Sequence, residues 1–379
     1  MSVVYKKLEE VCEILDSYRI PITAKDRKEG IYPYYGANGI QDYIADYIFD
    51  DELVLLAEDG GNFGSTERPI AYRVSGKCWV NNHAHVLKAK PEINVDYLCY
   101  SLMFYNTEGI VNGATRQKLT QAEMRKMLIP YRKMSEQIKI INKIGEVFRL
   151  IEKRKIELIL LDKLVKSRFT ELFGDPYIND KNWKIDTLGN YMTTLTDFSA
   201  NGSYELLDSN VVMYDEPNYA IMVRTTDLES GDLSSGVKYI DKSAYELLNK
   251  SKLFGGELIM NKIGSAGKIY IMPCIDCHAS LGRNAFMFRF DDRLNMKYLY
   301  FLLSSDYGTK EIQQYVRGAV TKTITKDSTR AIKIIIPPID LQNQFAEFVK
   351  QSDKSKLAVE RSLKELEILK KSLMQKYFG

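Results

Sequence analysis

The feature that most restricts the fold of this chain is an internal repeat of about two hundred residues. The stretch MLIPYRKMSEQI (127–138) returns as IIIPPIDLQNQF (334–345), and aligning Pro130 with Pro337 places Gln137 on Gln344. The similarity extends upstream, from NGATRQKLTQAEMRKMLIP to RGAVTKTITKDSTRAIKIIIP, and downstream, from KSRFTELFG to KKSLMQKYFG. One folded unit is therefore written twice, and this period decides the number of domains before any other signal.

Length and composition agree with two globular units. A chain of 379 residues exceeds what one hydrophobic core usually organises. Its hydrophobic content of 45% and charged content of 27% are those of a folded protein. The 53 basic and 50 acidic residues leave a net charge of +3, which argues against a histone-like protein but permits local basic faces.

No targeting or membrane segment is predicted. The first residues, MSVVYKKLEEVCEILD, lack the apolar core of a signal peptide, and no stretch approaches the apolar length of a membrane span. Five scattered cysteines, an odd number, favour reduced thiols over a disulfide framework. We therefore expect a cytoplasmic protein.

Each repeat has a globular part and a helical part. Residues 1–133 and 179–337 mix short β-rich runs, turn residues and one helix, which predicts two α+β domains. Residues 134–178 and 338–379 show apolar side chains at alternating spacings of three and four, a pattern typical of long helices. After Pro338, neither range contains a proline before its Phe-Gly pair, which is a signal for the end of a helix. The seam positions of these helices include Ile141, Phe148, Ile151, Leu158, Phe345, Val359, Leu366 and Leu373.

A helix of about 37 residues is roughly 55 Å long, too long to be buried in one domain. Its simplest partner is the other long helix of the same chain. We therefore predict two tandem globular domains joined by two long antiparallel helices in a coiled-coil rod, with a pseudo-two-fold relation between the repeats. In this scheme Pro130 and Pro337 stop the last strand of each domain, so that Ser135 or Asp340 begins the helix near its N-cap.

This organisation, together with the phrases YPYYGANGIQDYI (32–44), LLAEDGG (55–61), GKCWVNNHAHVLK (76–88) and NGATRQKL (112–119), resembles the specificity subunit of type I restriction-modification enzymes. The resemblance covers essentially the whole chain. It implies that each globular part is a target recognition domain for one half of a split DNA site. It implies further that the helices set the spacing and dock the methyltransferase subunits.

The resemblance also implies the partners and the absence of chemistry in this chain. The expected partners are double-stranded DNA, two modification subunits and restriction subunits, with no membrane. S-adenosylmethionine, ATP and Mg are expected only in those subunits, so no cofactor is expected here. The protein is accordingly expected to be a non-catalytic recognition subunit.

Reading duplex DNA requires phosphate contacts for register and paired donors and acceptors for base edges. The loops of both repeats contain such residues at corresponding points, and the candidates of the first domain are Tyr34, Tyr35, Asn38, Asn62, Arg68, Asn81, His83, Arg116 and Lys118. Those of the second domain are Arg224, Lys262, Ser265, Lys268, Arg283, Asn284, Arg317 and Lys322. Taken singly, each residue is more often a solvated loop residue. Because the helices agree whereas the globular parts diverge, the sequence predicts an asymmetric bipartite target.

Catalytic motifs are incomplete or missing. GSAGK (264–268) lacks the first glycine and the terminal Ser or Thr of a phosphate-binding loop. Neither a Gly-rich loop for S-adenosylmethionine nor an Asn/Asp-Pro-Pro-aromatic tetrapeptide is present. His83 and His85 alternate along one predicted strand and so are expected to point the same way, for base contact or packing rather than metal binding.

Two other functions stay open at this point. The chain could be a structural or tethering coiled-coil protein whose helices pair separate chains. It could instead be a zinc-dependent enzyme that uses Cys274, Cys277 and His278, although this set lacks the second cysteine pair of a closed zinc site. We therefore predict that the chain has no metal site and keep the zinc site only as an alternative.

Overall fold

The computed structural model of the protein describes residues 3–113 and 117–379. It divides into two compact units, the first made of Met1–Leu158 with Ala358–Gly379 and the second of Ile159–Leu357. Among the described residues, no helix combines the length and apolar character needed to span a membrane.

The first unit is built on a six-stranded sheet in the order β2-β7-β5-β6-β3-β4, in which only β3 and β6 run parallel. Two shorter pairings, β1 with β10 and β8 with β9, complete its strands. The strands are β1 Val4–Lys7, β2 Cys12–Ile14, β3 Glu29–Gly36, β4 Gly39–Ile44, β5 Phe49–Ala57, β6 Ala71–Val80, β7 Ala84–Ala89, β8 Val111–Asn112, β9 Lys118–Leu119 and β10 Leu128–Tyr131. Its helices before the long one are α1 Leu8–Val11, α2 Val95–Met103 and α3 Gln121–Lys126.

The second unit carries two four-stranded sheets, β12-β19-β16-β17 and β14-β13-β18-β15, and the pair β11-β20. Its strands are β11 Lys184–Thr187, β12 Met192–Asp197, β13 Ala220–Val223, β14 Lys238–Ile240, β15 Lys252–Leu253, β16 Leu258–Asn261, β17 Ile269–Ile271, β18 His278–Leu281, β19 Ala285–Phe290 and β20 Lys333–Ile336. Its shorter helices are α5 Tyr204–Asn210, α6 Thr225–Ser230, α7 Lys242–Leu247, α8 Met296–Ser304, α9 Asp306–Gln313 and α10 Lys326–Arg330.

The two units share several strand pairings although their sequences diverge. Strands β7 and β5 of the first unit correspond to β19 and β16 of the second. Strand β3 runs parallel to the end of β6, with Tyr35 opposite Val80, and β13 runs parallel to β18, with Val223 opposite Leu281. The long strand β6 is interrupted in the second unit, where β17 and β18 are separated by residues 272–277. The prediction of two repeated α+β units is confirmed.

The long helices are α4 (Met134–Phe173) and α11 (Ile339–Phe378), and in each unit a part of one packs antiparallel to a part of the other. In the first unit, Nη2 of Arg132, just before α4, donates to the carbonyl of Tyr377 near the end of α11 at 3.5 Å. In the second unit the ring of Phe169 meets that of Phe345, with centroids 5.3 Å apart. The predicted long helices are therefore present, and their apolar faces are used within the units.

The buried stripe of α4 differs from the predicted seam. Ile140, Ile144, Val147 and Ile151 are the buried apolar positions of α4 in the first unit, while Ile141 and Phe148 are half-buried. The stripe is rotated because α4 packs against α2 as well as α11, as the stacked rings of Tyr100 and Phe148 show at 5.6 Å. Of the remaining seam residues, Phe345, Val359 and Leu373 are buried, and Leu158 and Leu366 are half-buried.

Each long helix is fixed at its start by a fully buried glutamine. The Gln137 Oε1 accepts from the amide of Asn94 at 2.8 Å, and its Nε2 donates to the carbonyls of Glu92 and Arg132 at 2.9 and 2.8 Å. Asn94, whose amide donates to Gln137, is the N-cap of α2, and its side chain accepts hydrogen bonds from two backbone amides of that helix. One side chain thus joins the start of α4, the start of α2 and the end of β10.

The second unit repeats this arrangement with Gln342. Its Oε1 accepts from the amide of Asn295, the cap of α8, at 2.8 Å, and its Nε2 donates to the carbonyls of Arg293 and Pro337. The sequence alignment that paired Gln137 with Gln344 is therefore wrong by two residues, and Gln344 is exposed.

The two prolines are also not equivalent, since the residue that corresponds to Pro130 is Ile335, two residues before Pro337. Tyr97 donates to the carbonyl of Pro130, and the equivalent Tyr298 donates to that of Ile335. Pro130 lies inside β10, opposite Tyr5, so it does not stop that strand, whereas Pro337 directly follows β20. The helices begin at Met134 and Ile339, one residue before the predicted Ser135 and Asp340.

The Phe-Gly ends of the helices pack on the corresponding tyrosines. Phe378, at the end of α11, lies edge-on to Tyr97 of the first unit at 5.2 Å, and Phe173, at the end of α4, lies edge-on to Tyr298 of the second at 4.6 Å. Gly174 follows with a φ of +75°, the left-handed conformation that ends helices. Each globular part therefore packs on the beginning of its own helix and on the end of the other.

We expect Gln137→Ala and Gln342→Ala each to lower the free energy of unfolding by about 2–4 kcal/mol, because each leaves buried backbone groups without partners. Urea denaturation followed by circular dichroism measures the loss. Gln344→Ala is the matched control, since this exposed residue should change the unfolding free energy by less than about 0.5 kcal/mol. Equal effects of Gln344→Ala and Gln342→Ala would contradict the assignment.

Candidate nucleic-acid interface

Several of the predicted recognition residues lie where a parallel strand pair ends in each unit. The amide of Asn81 donates to the carbonyl of Tyr35 at 3.0 Å, and the amide of Gly282 donates to that of Val223 at 2.8 Å. These two bonds place Asn81 and Gly282 at equivalent positions. Gly36 and Arg224, which follow Tyr35 and Val223, are therefore equivalent as well, each in its own unit. The shared backbone thus presents different side chains at one site.

Several tyrosine and asparagine candidates of the first unit serve the packing of this site. Tyr34 is buried, its hydroxyl lies 3.3 Å from the backbone of Ile22, and the Arg27 guanidinium lies 4.2 Å from its ring centre. Tyr35 is half-buried against Tyr72. Asn81 is buried, and its Oδ1 accepts from the amide of His83 at 2.8 Å.

Two open cavities flank these residues. One of about 410 Å³ is lined in part by Tyr34, Gln41, Asn81, Asn82 and His83. The other, of about 560 Å³, is lined by the remaining candidates Asn38, Asn62 and Arg68 together with Tyr35, Gly39, Ile40, Pro69 and Tyr72. Asn38 donates to the carbonyl of Gly60 at 3.0 Å, so this exposed side chain links the β3-β4 turn to the loop after β5. The polar candidates of the first unit therefore surround two concave surfaces.

Lys118 forms an ion pair with Glu58, which lies beside a buried hydrogen-bond network around Asp16 and His85. Asp16 accepts from His85 Nδ1 at 2.6 Å and from Gln121 Nε2 at 2.9 Å. Burial alone would raise the pKa of Asp16, but the hydrogen bonds from His85 and Gln121 outweigh it and lower that pKa. Glu58, beside this network, pairs with Arg19 at 2.7 Å and with Lys118 at 3.1 Å. Arg116 lies outside the described residues.

The second unit has an aspartate at the corresponding place with different partners. Asp197, at the end of β12, accepts from Lys262 Nζ at 2.7 Å and from Lys326 Nζ at 2.8 Å. Burial would raise its pKa, and the hydrogen bonds from the two lysines lower it. Lys262 is equivalent to Glu58, since their amides donate to the carbonyls of Asn284 and His83. The candidate Lys262 is thus mostly enclosed by the unit itself.

The other candidates of the second unit lie nearer the solvent. Lys268 pairs with Glu229, and Arg283 pairs with Asp208 at 3.2 Å while its guanidinium lies 5.1 Å from the centre of the Phe198 ring. Four further candidates, Ser265, Asn284, Arg317 and Lys322, are exposed. Backbone bonds between Arg317 and Thr323 hold the last two in one loop.

The zinc alternative receives no support from the geometry. Among the residues that the structure describes, the one group of three metal-ligating side chains is Asp16, Glu58 and His85, and Arg19 already supplies a positive charge to its two carboxylates. Cys274 and Cys277 are exposed, and the ring of His278 stacks on that of Tyr219 at 4.8 Å. These three residues lie in and after the interruption between β17 and β18.

The two histidines of the first unit occupy different environments. His85 is buried within β7, whereas His83 precedes that strand, is half-exposed and contacts Asp59 at 2.7 Å. Contrary to the prediction from the sequence, the two histidines therefore do not share one strand, because β7 begins only at Ala84. Sequence reasoning also missed Gln41, Asp16 and Asp197, whose partners are distant along the chain. Gln41 lies in the motif YPYYGANGIQDYI (32–44), but the motif does not show that Asn81, forty residues further on, fixes the orientation of its side chain.

Comparison with known proteins decides the family. The type I restriction modification DNA specificity domain matches residues 2–161 and 189–368, more than half of the chain. The chain belongs to this family. The two matches fall on the two repeats.

Individual relatives agree. A putative type I restriction enzyme specificity subunit of Haemophilus influenzae, S.HindORF215P, is 39% identical over 140 residues, which cover 37% of this chain and 36% of that protein. The MjaVIII specificity subunit of Methanocaldococcus jannaschii is 23% identical over 375 residues, 93% of this chain and 86% of that subunit. The match thus spans about a third of the first relative and most of the second.

Solved structures show the same fold. The S subunit of a type I restriction-modification system from M. genitalium matches with a TM-score of 0.60 at 14% identity, covering 100% of this chain and 96% of that chain. A chain from a structural study of complex assembly and conformational transition in the type I R-M system matches with a TM-score of 0.57 at 16% identity, covering 100% and 99%.

We expect Asp197→Asn to lower the free energy of unfolding at pH 7 by about 1.5–3 kcal/mol, since the carboxylate accepts from two lysines. Because the folded pKa of Asp197 lies below its ordinary value of 3.8, its contribution is complete above that pH and is lost as the pH falls further. The difference between wild type and variant should therefore be constant from about pH 7 to 5 and narrow below about pH 4.

Urea titrations at each pH measure this difference. Asp215→Asn is the control, because Asp215 is exposed and its partner Lys238 lies at the surface. A difference for Asp197→Asn that stays constant down to pH 2.5 would show that the ion pairs contribute nothing to stability.

Proposed function

We propose that this chain is the DNA-recognition subunit of a type I restriction-modification complex and that it reads an asymmetric bipartite target. The single observation that carries the proposal is the repeated frame with divergent side chains. Both units end a parallel strand pair at the same place, yet the first presents Gly36 and Asn81 there and the second presents Arg224 and Gly282. Two reading surfaces of one design but different chemistry suit two different half-sites.

Charge supports nucleic acid as the ligand. The exposed Arg317 and Lys322 lie in the loop that precedes α10, and the half-exposed Lys118 lies at the equivalent place in the first unit. Cations on exposed loops can contact phosphates while neighbouring polar side chains reach base edges. The net charge of +3 places this basic character in local surfaces and not in the chain as a whole.

The proposed protein partners follow from the long helices. Apolar side chains remain exposed on them within the units, namely Ile156, Ile159, Leu160, Leu164, Leu357, Ile368 and Leu369. Exposed apolar surface of this kind suits the docking of partner subunits. We assign the two modification subunits to it and propose that they, with the restriction subunits, supply S-adenosylmethionine, ATP and Mg. The chain itself is then a non-catalytic, cytoplasmic recognition subunit.

The function is tested by sequencing methylated bases in the genome of the host with and without this gene. We expect a split motif with unlike halves whose methylation disappears when the gene is deleted and returns when it is restored. Persistence of every methylated motif after deletion would contradict the proposal, as would a gene-dependent motif that is an uninterrupted palindrome.

We expect Lys322→Ala in the second repeat, and Arg116→Ala in the matching stretch of the first, to weaken DNA binding for all sequences alike and to reduce the salt slope by about 1 each. Fluorescence anisotropy of the assembled complex on duplex DNA at several salt concentrations measures both quantities. Lys333→Ala, which removes an exposed lysine of β20, is the control. Affinities and slopes equal to those of the control would remove both residues from the interface.

A further inference from the structure

We infer that Gln41 in the first unit and Arg224 in the second are the specificity-determining residues of their half-sites, each donating to a base edge from the same place in the shared frame. This inference rests on the proposed DNA-recognition function. Gln41 was not among the residues indicated by the sequence, and Arg224 was indicated as one of many DNA-binding candidates, without distinction between phosphate and base contact.

The frame leaves room for one long polar side chain at this place in each unit. A Cβ atom on Gly36 would lie 2.2 Å from Nε2 of Gln41, so the glycine is what allows the Gln41 side chain to cross the end of β3. In the second unit the glycine stands on the other strand. A Cβ on Gly282 would lie 3.0 Å from the Val223 carbonyl and 3.6 Å from Cγ of Arg224. The long side chain thus comes from β4 in the first unit, where it crosses Gly36, and in the second unit from the residue equivalent to Gly36, where it lies beside Gly282.

A buried partner fixes the orientation of Gln41. Its Oε1 accepts from Nδ2 of Asn81 at 3.0 Å, and Asn81 is itself held by the amide of His83 and by the carbonyl of Tyr35. Gln41 is exposed and lines the cavity of about 410 Å³, and among the described residues no hydrogen bond engages its Nε2. The side chain therefore presents an oriented amide, with two free N–H groups beside an oxygen that keeps one acceptor site.

Arg224 is oriented by a buried carboxylate. Its Nε and Nη2 donate to the two oxygens of Asp227 at 3.0 and 2.5 Å, and Nη2 also donates to the carbonyl of Gly236 at 2.8 Å. Asp227 is 5% exposed, so this ion pair is part of the folded unit. Within the described parts of the chain Nη1 has no hydrogen-bond partner, which leaves one donor group directed away from the pair.

The two side chains differ in the base edge that they fit. An amide that both donates and accepts matches the N7 acceptor and N6 donor of adenine in the major groove, whereas a guanidinium donor matches the acceptors N7 and O6 of guanine. Because both are held by a buried partner before DNA arrives, little side-chain freedom is lost on binding. One frame thus carries an adenine-type reader in one unit and a guanine-type reader in the other.

The test uses the complete complex with its modification subunits. Wild type, Gln41→Glu and Arg224→Gln are each restored to the host that lacks the gene, and the methylated motifs are sequenced. In parallel, each complex selects from a library of random duplex DNA. Gln41→Glu keeps the oxygen that accepts from Asn81 but removes the Nε2 donor. We expect it to change the accepted base at one position of one half-site, with roughly 5- to 150-fold loss of discrimination there.

Arg224→Gln is expected to act in the same way on one position of the other half-site only. Arg224→Lys keeps a positive charge for Asp227 and lacks the planar fork, so it separates loss of reading from loss of folding. The controls are Gln344→Ala and Arg361→Gln, which alter exposed residues of α11. Both should leave the motif unchanged.

Motifs identical to wild type in Gln41→Glu and in both Arg224 variants would overturn the inference. A uniform loss of affinity across the library, without a change at one base pair, would overturn it as well. A wild-type host that shows no gene-dependent split motif would instead contradict the proposed function.

Discussion

The architecture depends on one buried amide that occurs twice. Gln137 and Gln342 each satisfy backbone groups from three segments, the end of a strand, the loop before a short helix and the start of a long helix. Both glutamine side chains are fully buried, so their hydrogen bonds to the backbone satisfy polar groups that folding takes out of water. Because the glutamine bonds to the residue that caps α2 or α8, the direction of the long helix is tied to that of the short one. The reading surface and the helix that follows it are thus parts of one rigid connection within each unit.

At equivalent backbone positions the two units carry side chains of different charge and hydrogen-bonding type. An aspartate lies at or just after the end of β2 in the first unit and of β12 in the second, but Asp16 is held by His85 and Gln121, and Asp197 by Lys262 and Lys326. A charge reversal at one position, Glu58 against Lys262, accompanies the change. Such compensated differences allow the surface above them to diverge without loss of the fold, since each buried charge retains a partner. Divergence confined in this way is what a protein with two unlike half-sites needs.

The repeat, the long helices and the α+β character could be predicted because they rest on local patterns: matching phrases, a spacing of three and four, and Phe-Gly ends. The alignment of the repeats failed by two residues at the joint. Pro130 and Pro337 look equivalent in sequence, but Tyr97 and Tyr298 bond to the carbonyls of Pro130 and Ile335. At this joint the correspondence between the two repeats is fixed by a hydrogen bond to a backbone group distant in sequence, and the positions of the prolines do not reveal it. Tyr34 and Lys262 were chosen as exposed recognition residues for their chemical type, whereas the fold buries the first and encloses the second between Asp197 and the core.

The sequence by itself determined that one unit is written twice, that each unit ends in a long amphipathic helix, and that the chain resembles a specificity subunit. Only the tertiary structure decided which glutamine joins helix to domain and which side chains are oriented for recognition. It also decided that each globular part packs on the start of one helix and on the end of the other, as Phe378 on Tyr97 and Phe173 on Tyr298 show. The physical reason is the same in each case. Periodicity and composition record which residues avoid water, but the orientation of a polar side chain depends on partners distant in sequence that folding alone brings within hydrogen-bond distance.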